Sequence, residues 1–217
     1  LGEDAVERDA IRYEVLQAAD AESMIELLAA AFSGAEPPAV AMGLSSADLA
    51  EFLHQLAPRA VADGLTIVAR SSAPDAVAGV VLCDDFAATA PVDRQRISRR
   101  FLPIFAMLES LDEQYRLGRA MQKGEYLHLF MLAVDGGFGG RGIAQGLVEF
   151  CLQNGARKGY RRAVTEATGP ISQHVFRKLG FQERFRVSYG DFRFKGKAAF
   201  ASITDHGGAA LMDRSIP

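Results

Sequence analysis

Tryptophan is absent from this chain, and cysteine occurs only twice in 217 residues. Cys83 and Cys151 each lie in an apolar segment, so two buried thiols in a reducing cytosol are expected rather than a disulfide framework. Metal-ligand spacing is also lacking: His54, His128, His174 and His206 are scattered, without the pairwise helical spacing that zinc sites use. No apolar run approaches the roughly 20 residues needed to cross a bilayer. Glu3, Asp4, Glu7 and Arg8 occupy the place where a secretory signal would be apolar, and residues 1 to 10 read as a frayed, charged start. Positive charge is not in excess either. A net charge of −3 and a pI near 5.8 argue against a nucleic-acid partner, which needs clustered Lys and Arg to neutralise phosphates. Arg94, Arg96, Arg99 and Arg100 form the nearest thing to a cluster and read as the solvated face of a helix. Internal repeats and low-complexity linkers are missing as well. These absences together predict a soluble cytoplasmic protein with no metal, membrane or nucleic-acid partner.

What is present fits one domain over residues 1–217, with enough chain for its own core. Ile11 to Leu16 alternates as a strand. A helix capped by Asp20 follows through Met24, Leu28 and Phe32 to about Gly34. Ser33 to Pro38 cannot continue it, because Pro37 and Pro38 remove two amide donors and push Glu36 toward an extended conformation. A second helix is expected from a Ser46 cap to Leu56, with Pro58 its end or a kink. Leu65 to Arg70 and Ala76 to Cys83 read as a hairpin turning over Ser71 to Asp75. From Val92 to Leu117 the positions Ile97, Phe101, Ile104, Phe105, Leu108 and Leu111 recur at helical spacing, with Pro103 as a boundary or kink. That segment, about residues 88–122, is expected to be a helical insertion beside a cleft.

The rest of the chain is organised around Tyr126 to Phe150. Leu127 to Val134 is an apolar run too short for a helix, hence a buried strand, on which the side chain of His128 should share a face with Phe130 and Leu132. It ends at Asp135. Gly136, Gly137, Gly139, Gly140 and Gly142 follow, and then a helix, Arg141 to Lys158, with Ile143, Leu147 and Cys151 on one face. A glycine-rich turn between a strand and a helix start is an anion site: bare backbone N–H groups can approach a phosphate, and the first-turn amides carry the positive end of the helix dipole. Beyond it come a strand at Arg161 to Glu166, a short helix near Ile171 to Leu179, a strand from Arg184 to Tyr189 and a final strand at Ala209 to Asp213. The economical architecture is one mixed α/β sheet.

The loop satisfies two patterns. Gly137 to Gly142 matches G-x-G-x-x-G, with Glu166 at the end of the next strand where a dinucleotide fold places its ribose-binding acid. Too little chain follows Glu166 for the further strand–helix units that such a domain needs, so a nicotinamide-dinucleotide-binding protein is the weaker alternative. The second match is longer. Val134-Asp135 followed by Gly139-Gly140-Arg141-Gly142-Ile143-Ala144 resembles the acetyl-CoA pyrophosphate loop of the GNAT superfamily of N-acetyltransferases, Arg/Gln-x-x-Gly-x-Gly/Ala, with Gly139 where the pattern has Arg or Gln. Phe176-Arg177-Lys178-Leu179-Gly180-Phe181 resembles the segment that lies beside the pantetheine arm in that superfamily. Glu166-Ala167-Thr168, Ser172-Gln173, Tyr189-Gly190-Asp191-Phe192, Phe200, His206 and the early Glu36-Pro37 are similar to the arylalkylamine N-acetyltransferase branch.

The resemblance implies a GNAT-type mixed, mostly antiparallel sheet flanked by helices, and acetyl transfer from acetyl-CoA, as co-substrate and without a metal, to the primary amine of a small molecule, with an arylalkylamine as the candidate that the branch suggests. It implies cofactor contacts from Leu132, Ala133 and Val134, from Gly139, Gly140, Arg141, Gly142, Ile143 and Ala144, and from Phe176 and Lys178. Glu36 corresponds to the branch's general base, and His128 is the other candidate. Many members protonate the departing thiolate with a tyrosine on the short helix. Here that position is Phe176, leaving Ser172, water or unassisted departure, and Ser172 is equally readable as a helix cap. A non-catalytic acyl-CoA-binding or regulatory module on the same fold is the second functional reading, to which Gly139 and Phe176 lend weight.

Overall fold

A computed structural model describes residues 11–72, 75–89 and 91–216; the charged start at 1–10 and the centre of the Ser71–Asp75 turn lie outside the described residues. Seven strands form one sheet: β1 (Ile11–Val15), β2 (Ile67–Ser72), β3 (Asp75–Asp85), β4 (Tyr126–Val134), β5 (Arg162–Ala167), β6 (Gln182–Ser188) and β7 (Gly208–Ser215). Their spatial order is β1-β2-β3-β4-β5-β7-β6, and every neighbouring pair is antiparallel except β4 and β5. The last strand therefore does not close an edge. It inserts between β5 and β6, pairing with both.

Alternation along the strands fills a core on each face. Val68, Val80 and Leu82 pack under α1 (Ala21–Ala35), α3 (Ser46–Asp63) and α4 (Leu102–Arg116). Ile67, Ala78, Val81, Leu127 and Leu129 pack under α5 (Ile143–Arg157) and α6 (Pro170–Lys178). Cys83 and Cys151 meet in this second core as free thiols, Sγ to Sγ 3.2 Å.

Proline positions account for most differences from the sequence expectations. Glu36 is extended (φ −77°, ψ 120°) and ends α1, but Pro37 and Pro38 open another helix, α2 (Pro37–Ala41), because the first-turn N–H groups they lack have no helical acceptor anyway. Pro103 likewise falls in the first turn of α4, a boundary and not a kink; upstream of it the helical spacing yields only a 3₁₀ turn at Arg99–Phe101. Pro58 ends nothing: α3 runs through it to Asp63 and stops at Gly64, whose φ of 62° is left-handed. Two caps differ as well. Ser45, not Ser46, caps α3 in a reciprocal capping box with Asp48 (3.1 and 2.9 Å). Asp20 makes no cap bond, because its carboxylate is taken by Arg70.

The site is made by what happens midway along β4. The β3–β4 ladder pairs Leu82 with Met131 and Cys83 with Leu129, leaving Phe130 as the extra residue of a bulge. Side-chain alternation slips by one there, so His128 and Phe130 share a face while Leu132 points to the other, contrary to simple period-two counting. The parallel ladder to β5 covers only Tyr126–His128 against Arg162–Val164. Beyond that point the two strands diverge, and a cavity opens between them.

Candidate functional site

The cavity holds about 690 Å³. One arm runs along the strand gap, between Leu132–Val134 of β4, Ala144 of α5, and Ser172, Val175 and Phe176 of α6. The other arm passes under α1, α3 and α4 and is walled by Phe32, Phe52, Phe101, Phe105 and Phe130. Phe52 is the hub of that wall, 5.1, 5.6 and 6.1 Å from the rings of Phe101, Phe105 and Phe130. Phe101, Ile104, Phe105 and Leu108, from the 3₁₀ turn and α4, also line this arm.

In the first arm the divergence of β4 from β5 leaves a row of backbone groups with no ladder partner. The Asp135 N–H donates to the Ala78 carbonyl across β3 (2.9 Å), so by alternation the N–H and C=O groups of Leu132 and Val134 point into the gap, whereas those of Ala133 face β3. Ala133 lines the cavity by its side chain alone. At the end of this arm the Asp135 carboxylate accepts from the Gly137 N–H (2.8 Å) and shapes the turn. Gly140 and Gly142 follow with φ of 74° and 75°, values that glycine adopts without strain. Gly142 precedes Ile143, the first residue of α5, so the helix starts after the loop and not at Arg141. Its first-turn amides at Ile143 and Ala144 have no acceptor within the helix. The free strand edge could hold an extended chain of amides, and the glycine turn with the α5 N-terminus could hold an anion at its end. The Arg141 guanidinium lies 5.5 Å from the centre of the Phe138 ring. Lys178 is exposed at the last turn of α6 and is not part of the lining.

Glu36 stands on the wall where the two arms meet, as the N-cap of α2. Its Oε2 accepts from the Ala39 N–H at 2.6 Å. Burial against apolar neighbours pushes its carboxyl up to about 7, although hydrogen bonds from Thr168 and from Ala39 pull the other way. A carboxyl so placed can exchange a proton with a ligand near neutral pH. Thr168 is itself held by its carbonyl, which accepts from the Tyr189 hydroxyl.

His128 is built differently. It is buried behind the lining, with Nδ1 2.8 Å from Asp84 Oδ1 and Nε2 2.7 Å from Glu166 Oε2. Burial alone would lower its pKa, but the charges of Glu166 and Asp84 outweigh it and hold the imidazole well above its ordinary value. An imidazolium with both nitrogens bonded to carboxylates has no lone pair for an incoming proton. Ser172 lies on the lining, and its hydroxyl donates to the Gly169 carbonyl (2.9 Å) and accepts from the Gly169 N–H (3.3 Å), which is the geometry of a helix cap. Phe176 is buried on the lining and meets Phe181 edge-on at 5.0 Å.

Sequence reasoning did not find the carboxyls around His128. Glu166 lines the cavity and bridges to His128, while Asp112 from α4 lies beside it. The alternation of β5 offers a signal for Glu166, a charged residue on a strand buried on both faces. No local signal marks Asp112 within an amphipathic helix. Among the described residues no group of three or more His, Cys, Asp or Glu is arranged to hold a metal, and no helix is long and apolar enough to cross a membrane.

Several solved structures share this fold. The C-terminal condensation domain of Ebony in complex with beta-alanyl-dopamine superposes with a TM-score of 0.89 at 17% identity, covering 96% of this chain and 100% of that one. Arylalkylamine N-acetyltransferase 2 from Aedes aegypti gives 0.79 at 24% identity over 96% of this chain and 100% of its own. The polyamine N-acetyltransferase of Drosophila melanogaster gives 0.73 at 19%, over 95% and 100%. At such identities the likeness is one of fold. Family membership rests on the sequence model of the acetyltransferase (GNAT) family, which matches residues 59–181, more than half of the chain and the whole of the strand–loop–helix unit at the cavity: this protein belongs to the GNAT acetyltransferase family.

Proposed function

We propose that this protein is an acetyl-CoA-dependent N-acetyltransferase that acetylates the primary amine of a small aryl-bearing molecule, working as a single domain in which residues 88–122 wall the acceptor side of the cleft. The family implies acetyl-CoA use. In the proposed pose the open edge of Leu132 and Val134 binds the pantetheine amides, and the Gly139–Ala144 turn binds the pyrophosphate. Bound there, acetyl-CoA supplies an already activated thioester, so the protein's own work is placement and proton removal. Phenylalanine walls suit a flat apolar acceptor.

The observation that carries this reading is Glu36. It is a half-buried carboxyl on the cavity wall whose pKa is raised to about 7, between the aromatic arm and the strand gap. An alkylamine with a pKa near about 10.4 arrives protonated at neutral pH and must lose a proton before it can attack. Glu36 has the position and the basicity to accept that proton. His128, doubly bonded as a cation, does not, and its role in this reading is to hold Glu166. Ser172 remains near the departing sulfur as a hydroxyl able to donate if it releases Gly169.

The test is thiol release from acetyl-CoA over a panel of arylalkylamines, diamines and amino sugars. Turnover is expected with arylalkylamines. Acetyl-CoA binding without turnover on any amine would favour the non-catalytic acyl-CoA module instead.

A further inference from the structure

Two buried carboxyl oxygens, Asp112 Oδ1 on α4 and Glu166 Oε1 on β5, receive no N–H or O–H from any other residue among the described residues. Yet the two carboxyls lie within hydrogen-bonding reach of each other. A pair of carboxylates cannot make that bond, because both groups only accept. It needs one proton, and two like charges in one buried site leave one of the acids neutral.

The neighbours decide which acid carries it. Glu166 Oε2 is 2.7 Å from His128 Nε2, and that imidazolium, held on its other side by Asp84 of β3 at 2.8 Å, keeps Glu166 ionised. Arg116, on the same helix as Asp112, acts on it only through space, because its guanidinium donates to the Phe86 carbonyl. Near the end of α4 the Tyr115 hydroxyl donates to Asp213 of β7 at 2.6 Å, and Arg162 of β5 and Arg184 of β6 neutralise that carboxylate at 2.8 and 2.6 Å. Burial and the Glu166 charge push the Asp112 carboxyl up to about 9, against the pull of His128 and Arg116. The proton therefore sits on Asp112 at neutral pH.

Asp112 is not part of the cavity lining, but it follows Leu108 by one helical turn and Phe105 by two, so the three share a stripe of α4. Leu108 and Phe105 wall the aromatic arm. We propose that Asp112 is a positioning residue: it donates the one proton it shares with Glu166, and this buried bond holds α4, and with it the phenylalanine wall, in place over β5. Through Glu166, His128 and Asp84 the bond continues across three strands, so the wall is tied to the middle of the sheet. Loss of the proton sets two carboxylates face to face without water. Glu166 is fixed in the ladder opposite Leu211 of β7, whereas α4 is attached by side chains alone, so the helix is the member that yields. The shared proton stands independently of the proposed reaction; only its kinetic consequence rests on that reading.

The experiment begins with infrared difference spectra between wild type and Asp112→Asn, titrated from about pH 6 to about pH 10. Wild type should show the carbonyl band of a protonated carboxyl that the variant lacks, and the band should vanish as pH rises through about 9. Kinetics with phenethylamine and acetyl-CoA then test the positioning. Asp112→Asn carries a permanent N–H donor and should match wild type near neutral pH. Asp112→Ala leaves Glu166 Oε1 without a donor and should raise the KM for the amine about tenfold, while calorimetric acetyl-CoA affinity stays within about twofold, since α4 does not line the strand gap. Above about pH 9 wild type should drift toward Asp112→Ala, and Asp112→Asn should not follow. If Asp112→Ala does not fold, the infrared titration and the comparison of wild type with Asp112→Asn decide. Absence of the band, a ratio of wild-type to Asp112→Asn KM that is constant with pH, or acetyl-CoA affinity lost in step with the amine's in Asp112→Ala would each overturn the proposal. If no amine is acetylated, the enzymatic reading fails, and the infrared titration still judges the shared proton.

Discussion

Glu36 and Glu166 face the same cavity, and their acidities move in opposite directions. Both lose water on folding, which by itself raises a carboxyl's pKa. Glu36 has only the Thr168 hydroxyl and the Ala39 N–H to offset that loss, and it is raised to about 7. Glu166 is more deeply buried, but the His128 charge and hydrogen bond outweigh its desolvation, and its pKa is lowered. The difference teaches that depth alone does not decide which buried carboxyl can take a proton. A compensating cation favours the ionised form of a buried acid despite its lost water. Its absence leaves one poised near neutrality.

Breaking the pair at His128 should have the largest effect. His128→Leu leaves Glu166 buried, and Asp84 half-buried, without their cation, and a loss of about 3–5 kcal/mol is expected in urea unfolding at pH 7. The sign also follows from titration. Because the folded pKa of His128 is raised, its contribution is complete below its unfolded value of 6.5 and disappears only as pH rises through the higher folded value. Stability lost equally at every pH would remove the imidazolium from the account.

The rule can be inverted at the glycine turn, where the proposed pyrophosphate would meet the first-turn amides of α5. Gly142→Asp places a side chain at a φ of 75° and a negative charge in the anion site. Acetyl-CoA affinity should fall about tenfold or more in calorimetry; unchanged affinity would mean that the pyrophosphate binds elsewhere.

Removing the uncompensated charge is a smaller perturbation with a distinctive pH signature. Glu36 has its pKa raised from 4.5 to about 7, so the stability it contributes when protonated is full below about 4.5 and is lost as pH rises through 7. Glutamine does not ionise and keeps it. Glu36→Gln should therefore be more stable than wild type at pH 8 by about 1–3 kcal/mol, with the gap closing by pH 5, allowing for the half-open cavity wall. The smallest effect is expected at Phe176→Tyr, which restores a hydroxyl on the lining. Turnover should stay within about threefold if departure of the thiolate does not limit the rate, and a larger rise would show that it does.

Much of this arrangement was legible in the sequence, for identifiable reasons. The strand, glycine turn and helix from Tyr126 to Phe150 were visible because apolar periodicity and glycine act locally. Glu36 stood out through the resemblance of Glu36-Pro37 to the arylalkylamine branch, and the prolines, whose constraints are local, marked the break in the chain where it sits. The bulge at Phe130 was not legible, since it depends on the β3 register, and it reversed the expected orientation of Leu132 relative to His128. The partners of His128 were hidden for a similar reason. Asp84 and Glu166 come from strands on either side of β4, and only the sheet order brings them to one imidazole, while Asp112 reaches Glu166 from α4. Asp20 was readable as a helix cap until Arg70, from a neighbouring strand, took its carboxylate. Local chemistry was readable; long-range competition for the same groups was not.

The central claim is that Glu36 takes the proton from the acceptor amine, and paired pH profiles of kcat/KM for wild type and Glu36→Gln test it most directly, on any arylalkylamine the wild type accepts. The wild-type profile should show an acid limb near pH 7, matching the raised carboxyl. The variant should bind acetyl-CoA normally, lose about 10²–10⁴ in kcat/KM at pH 7 without that limb, and recover toward wild type at high pH as free amine becomes abundant. A Glu36→Gln enzyme that keeps both its rate and its acid limb at pH 7 would contradict the account.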